Sequence, residues 1–349
     1  MPESTWAVPE PRKFTFDAPV TTLKVRIFNG TVNVVGSEES SARLEVSAVH
    51  GPPLIVTREG STLTVAYEDL PWRGFLKMLD RRGWDRSAEV SLAVPAGTDV
   101  EIGTVGAGTV VSGIRGRTEV RGVSGDTTLV GLSGPVLAES VTGALEAHGV
   151  TGELRFKSVS GGLTVIEGAG PRVQAETVNG DMVLDLTPDG RPTDIRLTTV
   201  TGEVAVRLPH PADARVEAST TSGAVSNGFD DLRVSGQWGT KRIIGTLGAG
   251  NGTLRATTVS GSIALLRRPA GEEDDIPVDG PVQDDVPVDG PVQDDVPVDG
   301  PVQDDVPVDG PVQDGPRDAA PNDRAPSDRA PQDPGDRSGS DRPTNKKVL

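Results

Sequence analysis

The chain has 349 residues, no cysteine, 3% aromatic residues and a formal net charge of −17. The lack of cysteine excludes disulfides, thiolate metal sites and cysteine nucleophiles together. The acidity is uneven: residues 1–270 carry 27 Lys and Arg against 30 Asp and Glu, and residues 271–349 carry 7 against 21. A near-neutral body gives no charge argument for a nucleic-acid partner, and none is predicted.

In chain order, a short N-terminal arm at 1–13 leads into strands. In TTLKVRIFNGTVNVVG, Leu23, Val25 and Ile27 face one way while Lys24 and Arg26 face the other, the period of two of a half-buried strand. Asn29-Gly30 supplies a positive-φ turn, and Val32 and Val34 resume the alternation. Further strands are expected at 42–48, 54–58 and 62–67, within an N-terminal region that runs from 14 to 90.

That region ends in LPWRGFLKMLDRRGWDRSAEV. Trp72, Phe75, Leu76 and Leu79 fall at i, i+3, i+4 and i+7, and Trp84 follows Gly83. The spacing predicts a short amphipathic helix over 70–86. Its bases, Arg73, Lys77, Arg81, Arg82 and Arg86, outnumber Asp80 and Asp85. Two roles fit such an element: a cap over an open sheet end, or a cationic contact site. As a contact site, Trp72, Arg73, Phe75, Lys77, Arg81, Arg82 and Trp84 are the candidate interaction residues, toward a protein partner or an anionic membrane surface.

From 91 to 268 the sequence repeats itself. In SVTGALEAHGVTGELRFKSVSGGLTV, Val141, Val150 and Val159 lie nine apart, as do Gly143, Gly152 and Gly161, and Leu145, Leu154 and Leu163. Each nonamer reads as one strand and a corner, with Val, Gly and Leu inward and residues such as Thr151, Glu153, Arg155 and Lys157 outward. Gly180, Gly202 and Gly223 carry a longer step, which makes the nonamer half of a turn of about 20 residues. The expectation is a wound column in which the leucines of successive nonamers pile over one another. Gly is expected where the backbone bends and a Cβ would crowd the core. An antiparallel sandwich with glycine-rich turns is the competing architecture; strict recurrence of one residue type at one position favours the column.

These V-[ST]-G-x-[LV] units, with SLAVPAGTDVEIGTVGAGTVV at 91–111 and VRLPHPADARVEASTTSGAV at 206–225, resemble the bacterial putative-adhesin β-strand-repeat family, a domain of unknown function. The resemblance spans roughly 14–266. It implies an all-β, right-handed parallel β-solenoid-like fold and brings no catalytic residues with it.

The residues themselves offer little chemistry. His50, His148 and His210 sit in unrelated contexts. GVSGD and GLSGP place Gly directly after Ser and so break a nucleophile elbow. GAGNGT at 248–253 has no lysine, so it reads as a turn rather than a phosphate loop. Asp126, Glu153, Asp181 and Glu203 follow the repeat glycine, but Ala144, Gly162 and Ala224 interrupt them, so they read as solvated strand-face charge. No catalytic residue, metal site or cofactor is expected.

The remaining residues, 269–349, form an acidic Pro-rich tail whose decapeptides, DDIPVDGPVQ and three copies of DDVPVDGPVQ, occupy 274–313. Two prolines per repeat and no aromatic residue predict a disordered, extended chain. MPESTWAVPEPRKFTF lacks the apolar core of a secretory signal, no apolar run reaches about 18 residues, and NKKVL is no recognisable anchor, which together predict a cytoplasmic address. The functional expectation is a non-catalytic β-solenoid scaffold for protein interaction. The alternatives are a self-assembling structural protein, a peripheral membrane-associated protein and a carbohydrate-active enzyme.

Overall fold

Short runs of β-branched residues, broken by recurrent glycines, suit strands. The computed structural model describes residues 4–67, 85–188, 194–237 and 239–269, which form 26 strands and no helix. The chain divides into two units, Met1–Val278 and Asp279–Leu349, and the described residues all belong to the first. The expected helix at 70–86, with all seven candidate contact residues, and the tail at 269–349 lie outside the described residues, apart from Asp85, Arg86 and Pro269.

The N-terminal strands are β1 (Ser4–Val8), β2 (Arg12–Phe16), β3 (Thr22–Ile27), β4 (Asn29–Ser37), β5 (Ala42–His50), β6 (Leu54–Glu59), β7 (Thr62–Ala66) and β8 (Ser87–Pro95). The segment expected to be an arm is in fact paired: β1 runs antiparallel to β6 and β2 antiparallel to β5. Trp6 fixes this end by packing its ring against Phe14 and Phe16, with centroids 5.8 and 5.9 Å away.

The repeats give β9 (Asp99–Thr104), β10 (Gly108–Ser112), β11 (Thr118–Gly122), β12 (Thr127–Val130), β13 (Val136–Thr142), β14 (Leu145–His148), β15 (Leu154–Ser160), β16 (Leu163–Gly168), β17 (Arg172–Asn179), β18 (Met182–Leu186), β19 (Asp194–Thr201) and β20 (Val204–Leu208). The last strands are β21 (Ala214–Ser222), β22 (Val225–Asn227), β23 (Leu232–Gln237), β24 (Thr240–Leu247), β25 (Gly252–Ser260) and β26 (Ile263–Arg267).

Successive strands of the repeats alternate between two sheets. Sheet I has 14 strands in the order β1-β6-β7-β3-β9-β11-β13-β15-β17-β19-β25-β21-β24-β23. Sheet II has 12, in the order β2-β5-β8-β4-β10-β12-β14-β16-β18-β20-β26-β22. From β3 and β4 to β25 and β26 the pairing is parallel, as a wound chain requires. The antiparallel pairs β1–β6, β6–β7, β2–β5, β5–β8, β21–β24 and β23–β24 lie toward the sheet ends. Inward side chains from both sheets merge into one core.

This alternation corrects the expected stacking. Leu145 is the direct partner of Leu163 in sheet II, whereas Leu154 lies in sheet I between Val136 and Val173. All three leucines are buried. Every second nonamer stacks, and adjacent nonamers face each other across the core.

A second correction concerns the corner valines. Val150 is buried, but Val159, Val178, Val200 and Val259 are 46–51% exposed. The inward position at these corners is taken one residue earlier by Ser158, Thr177, Thr199 and Thr258. The Thr177, Thr199 and Thr258 hydroxyls donate to the carbonyls of Gly161, Gly180 and Gly202, so each buried hydroxyl bonds to another turn of the chain.

The glycines have a reason other than crowding of the core. A Cβ on Gly152 would overlap the carbonyl oxygen of Gly134, and one on Gly161 would overlap that of Gly143. Glycine is required because the backbone of one turn rests on that of the turn beside it.

The two sheets also depart from sequence order. β25 inserts between β19 and β21, and β26 between β20 and β22. The last turn of chain therefore threads inside the turn that precedes it, and the hairpin of β23 and β24 closes the free end of sheet I.

Candidate interaction surface

The two outer faces share a backbone repeat but differ in chemistry. On sheet I, alternate positions carry charges that pair from strand to strand. Arg121 reaches Glu119 at 2.5 Å and Glu139 at 3.0 Å. Arg172 bridges Glu153 at 3.4 Å and Asp194 at 3.5 Å, and Arg155 and Arg196 pair with the same two acids. At the far end Arg242 and Arg255 share Glu217. Each exposed pair contributes about 0–1 kcal/mol, so this lattice sets surface polarity more than stability.

One group in it is pushed the other way. Burial, the largest influence, raises the Glu101 carboxyl above its usual range although Lys24 lies 3.7 Å away.

The outer face of sheet II carries few charges. Val110, Thr128, Glu146, Thr164, Val183, Ala205 and Ala264 form one row in register, and Ser112, Val130, His148 and Ile166, followed by Asp185, Arg207 and Leu266, belong to the next. Val35, Val110, Val130, Ile166, Val183 and Leu266 are all exposed. The corner valines Val159, Val178, Val200 and Val259 sit near the ends of sheet I strands, so the exposed large aliphatic side chains are divided between the two sheets, and it is charge that distinguishes the faces.

The charges that sheet II does carry are largely closed on themselves. Asp185 accepts hydrogen bonds from Arg207 Nε at 2.7 Å and from Arg207 Nη2, with Arg268 3.7 Å away. The Arg207 hydrogen bonds hold the Asp185 carboxyl below the usual carboxylate range. His148 Nε2 lies 3.9 Å from Glu146.

Toward its N-terminal end the same face forms an open groove of about 360 Å³, with Val35, Ala93 and Leu44 and the charged Lys13, Arg43 and Glu45 among its lining. A second groove, of about 600 Å³, lies at the end of sheet I among Arg215, Arg233, Arg242 and Arg255. Among the described residues no group of three or more His, Asp or Glu side chains is placed to hold a metal ion.

The acids expected to be solvated strand charge are in part structural. Asp126 Oδ1 accepts the Ala144 N–H at 2.8 Å, and Asp181 Oδ1 accepts the Glu203 N–H at 2.7 Å. Each carboxylate thus satisfies a backbone donor on the next turn. Outward residues of successive nonamers divide between the sheets: Glu146 and Thr164 are partners on sheet II, and Arg155 lies on sheet I.

Tyr67 and Arg86, which flank residues 68–84, are described. The Arg86 guanidinium lies over the rings of Phe28 at 5.3 Å and Tyr67 at 5.9 Å. The exposed faces of sheet II went unrecognised in the sequence. The signal was present: alternation carried from Leu163 and Val165 places Thr164 and Ile166 outward, and from Met182 and Leu184 it places Val183 outward.

Residues 21–266 match the model of the Toastrack DUF4097 family. Among solved structures, a putative cell adhesion protein from Clostridium sporogenes is similar at 12% identity over 74% of this chain and all of that one, with a TM-score of 0.22. A putative lipid binding protein from Parabacteroides distasonis is similar at 9% identity over 75% of this chain and 98% of that one, with a TM-score of 0.30. No curated protein sequence matches the chain.

Proposed function

The chain belongs to the Toastrack DUF4097 family, a family of unknown function, and we propose that it is a non-catalytic scaffold that binds protein through the outer face of sheet II. The observation that carries this reading is the distribution of charge: ion pairs lace the outer face of sheet I, whereas the outer face of sheet II carries few charges and exposes Val110, Val130, Ile166, Val183 and Leu266. Clustered exposed aliphatic side chains, here Val35, Val110 and Val130 on adjoining strands and Ile166 with Val183, mark an interaction site more often than scattered single residues do. A rigid two-sheet stack suits display, because its side chains are held at fixed spacing before any partner arrives.

Affinity capture with the full chain tests the reading. Val130→Lys with Val183→Lys should lose the recovered partner, while Arg155→Ala with Arg172→Ala on sheet I should keep it. Equal recovery from both double variants would overturn the assignment of the face. A third arm, Trp72→Ala with Trp84→Ala, asks whether residues 70–86 also contribute to contact, as their composition suggests.

A further inference from the structure

We propose that the occupant of the sheet II face is a second copy of this chain, packed face to face in a two-fold dimer. The inference rests on the docking role proposed above and adds the identity of the partner.

Three features point to self-pairing. First, the face is ruled at the strand spacing of about 4.8 Å, with one outward row repeating from turn to turn. A surface with a fixed repeat is complemented best by another of the same repeat, whose rows settle between its own. The chain itself supplies such a surface. A two-fold interface needs only that one patch be self-complementary.

Second, the area is adequate. Nine adjacent strands, β4 to β22, build this part of the sheet. At about 4.8 Å between strands and about 3.3 Å per residue over about five residues, they present roughly 700 Å². This approaches the roughly 800 Å² per partner of a stable interface.

Third, burial would strand little charge. Asp185 is already held by Arg207 and Arg268, and Glu146 lies near His148. The centre of an interface is typically depleted of unpaired charge. The outer face of sheet I, by contrast, would have to desolvate a whole lattice of ion pairs.

Sedimentation velocity on the full chain, from low to high micromolar concentration, reads the outcome. The wild type should move as a monomer–dimer system. Val130→Lys with Val183→Lys should weaken the dimer at least about tenfold, because like charges would meet across the two-fold axis. Thr198→Lys on sheet I should leave it unchanged. Both replaced valines are exposed, and unchanged thermal melts would verify folding; Ile166→Lys serves as a second variant with the same expectation.

A wild type that stays monomeric, a dimer indifferent to these substitutions, or open-ended growth beyond the dimer would each overturn the pairing. Failure here is separable from failure of the docking role. A monomeric protein whose captured partner is lost in Val130→Lys with Val183→Lys would refute only the second copy. A dimer that dissociates in this variant while partner capture persists would leave pairing intact and remove the face from partner binding.

Discussion

Replacing Thr118 by valine should make the protein more stable, although the same change at Thr199 should weaken it. Thr118 takes an inward position in β11, in register between Val100 and Val136, and its buried hydroxyl has no hydrogen-bond partner. Burying an unpaired hydroxyl costs about 1–3 kcal/mol. Valine keeps the shape and puts a methyl group among valines, so Thr118→Val should gain about 1 kcal/mol. Thr199 is equally buried, but its hydroxyl donates to the carbonyls of Gly180 at 3.3 Å and Thr201 at 3.1 Å. Losing those bonds should cost about 0.5–1.5 kcal/mol. Urea unfolding followed by far-ultraviolet circular dichroism would resolve the two signs. A destabilised Thr118→Val, or a stabilised Thr199→Val, would refute the placement of these side chains.

Other substitutions probe other parts of the stack. Leu154→Ala should cost about 2–5 kcal/mol by opening a cavity between Val136 and Val173, while exposed Thr151→Ala should stay within about 0.5 kcal/mol, both read by urea unfolding. Gly161→Ala should cost at least about 2 kcal/mol and lower the melting temperature, because its Cβ would meet the Gly143 carbonyl of the neighbouring turn rather than a side chain that can yield. Asp185 has a depressed pKa in the folded state, so its contribution is complete above the ordinary carboxylate range and is lost as pH falls through the depressed value. Asp185→Asn should therefore be less stable than wild type near neutral pH, and the gap should close on acidification.

Much of the fold is written in the repeats. Alternation in LKVRI predicts the inward set Leu23, Val25 and Ile27, all fully buried, and the half-turn length of the nonamer follows from Gly143, Gly152 and Gly161. What escapes the sequence is the order of turns. Gly252 and Gly261 fit the motif of any turn, so nothing local reveals that β25 and β26 insert ahead of β21 and β22. The corner valines mislead because Val150 and Val159 occupy equivalent places in the motif, yet one corner turns its valine in and the other turns it out. The interaction surface was hidden for a related reason. Until alternate nonamers are assigned to separate sheets, Glu146 and Arg155 read as neighbours, and the charge-poor face dissolves into a mixed one.

Cysteine pairing tests that assignment directly, since the chain has no cysteine of its own. Glu146 and Thr164 are register partners on the outside of sheet II, so their Cα atoms sit about 4.8 Å apart, within the span that a disulfide bridges. Arg155, midway between them in sequence, is on the opposite sheet. Under mild oxidation, Glu146→Cys with Thr164→Cys should close an intramolecular bond, seen by mass as the loss of two hydrogens, and Glu146→Cys with Arg155→Cys should not. A bond that forms only in the second pair would contradict the two-sheet winding on which the charge-poor face depends.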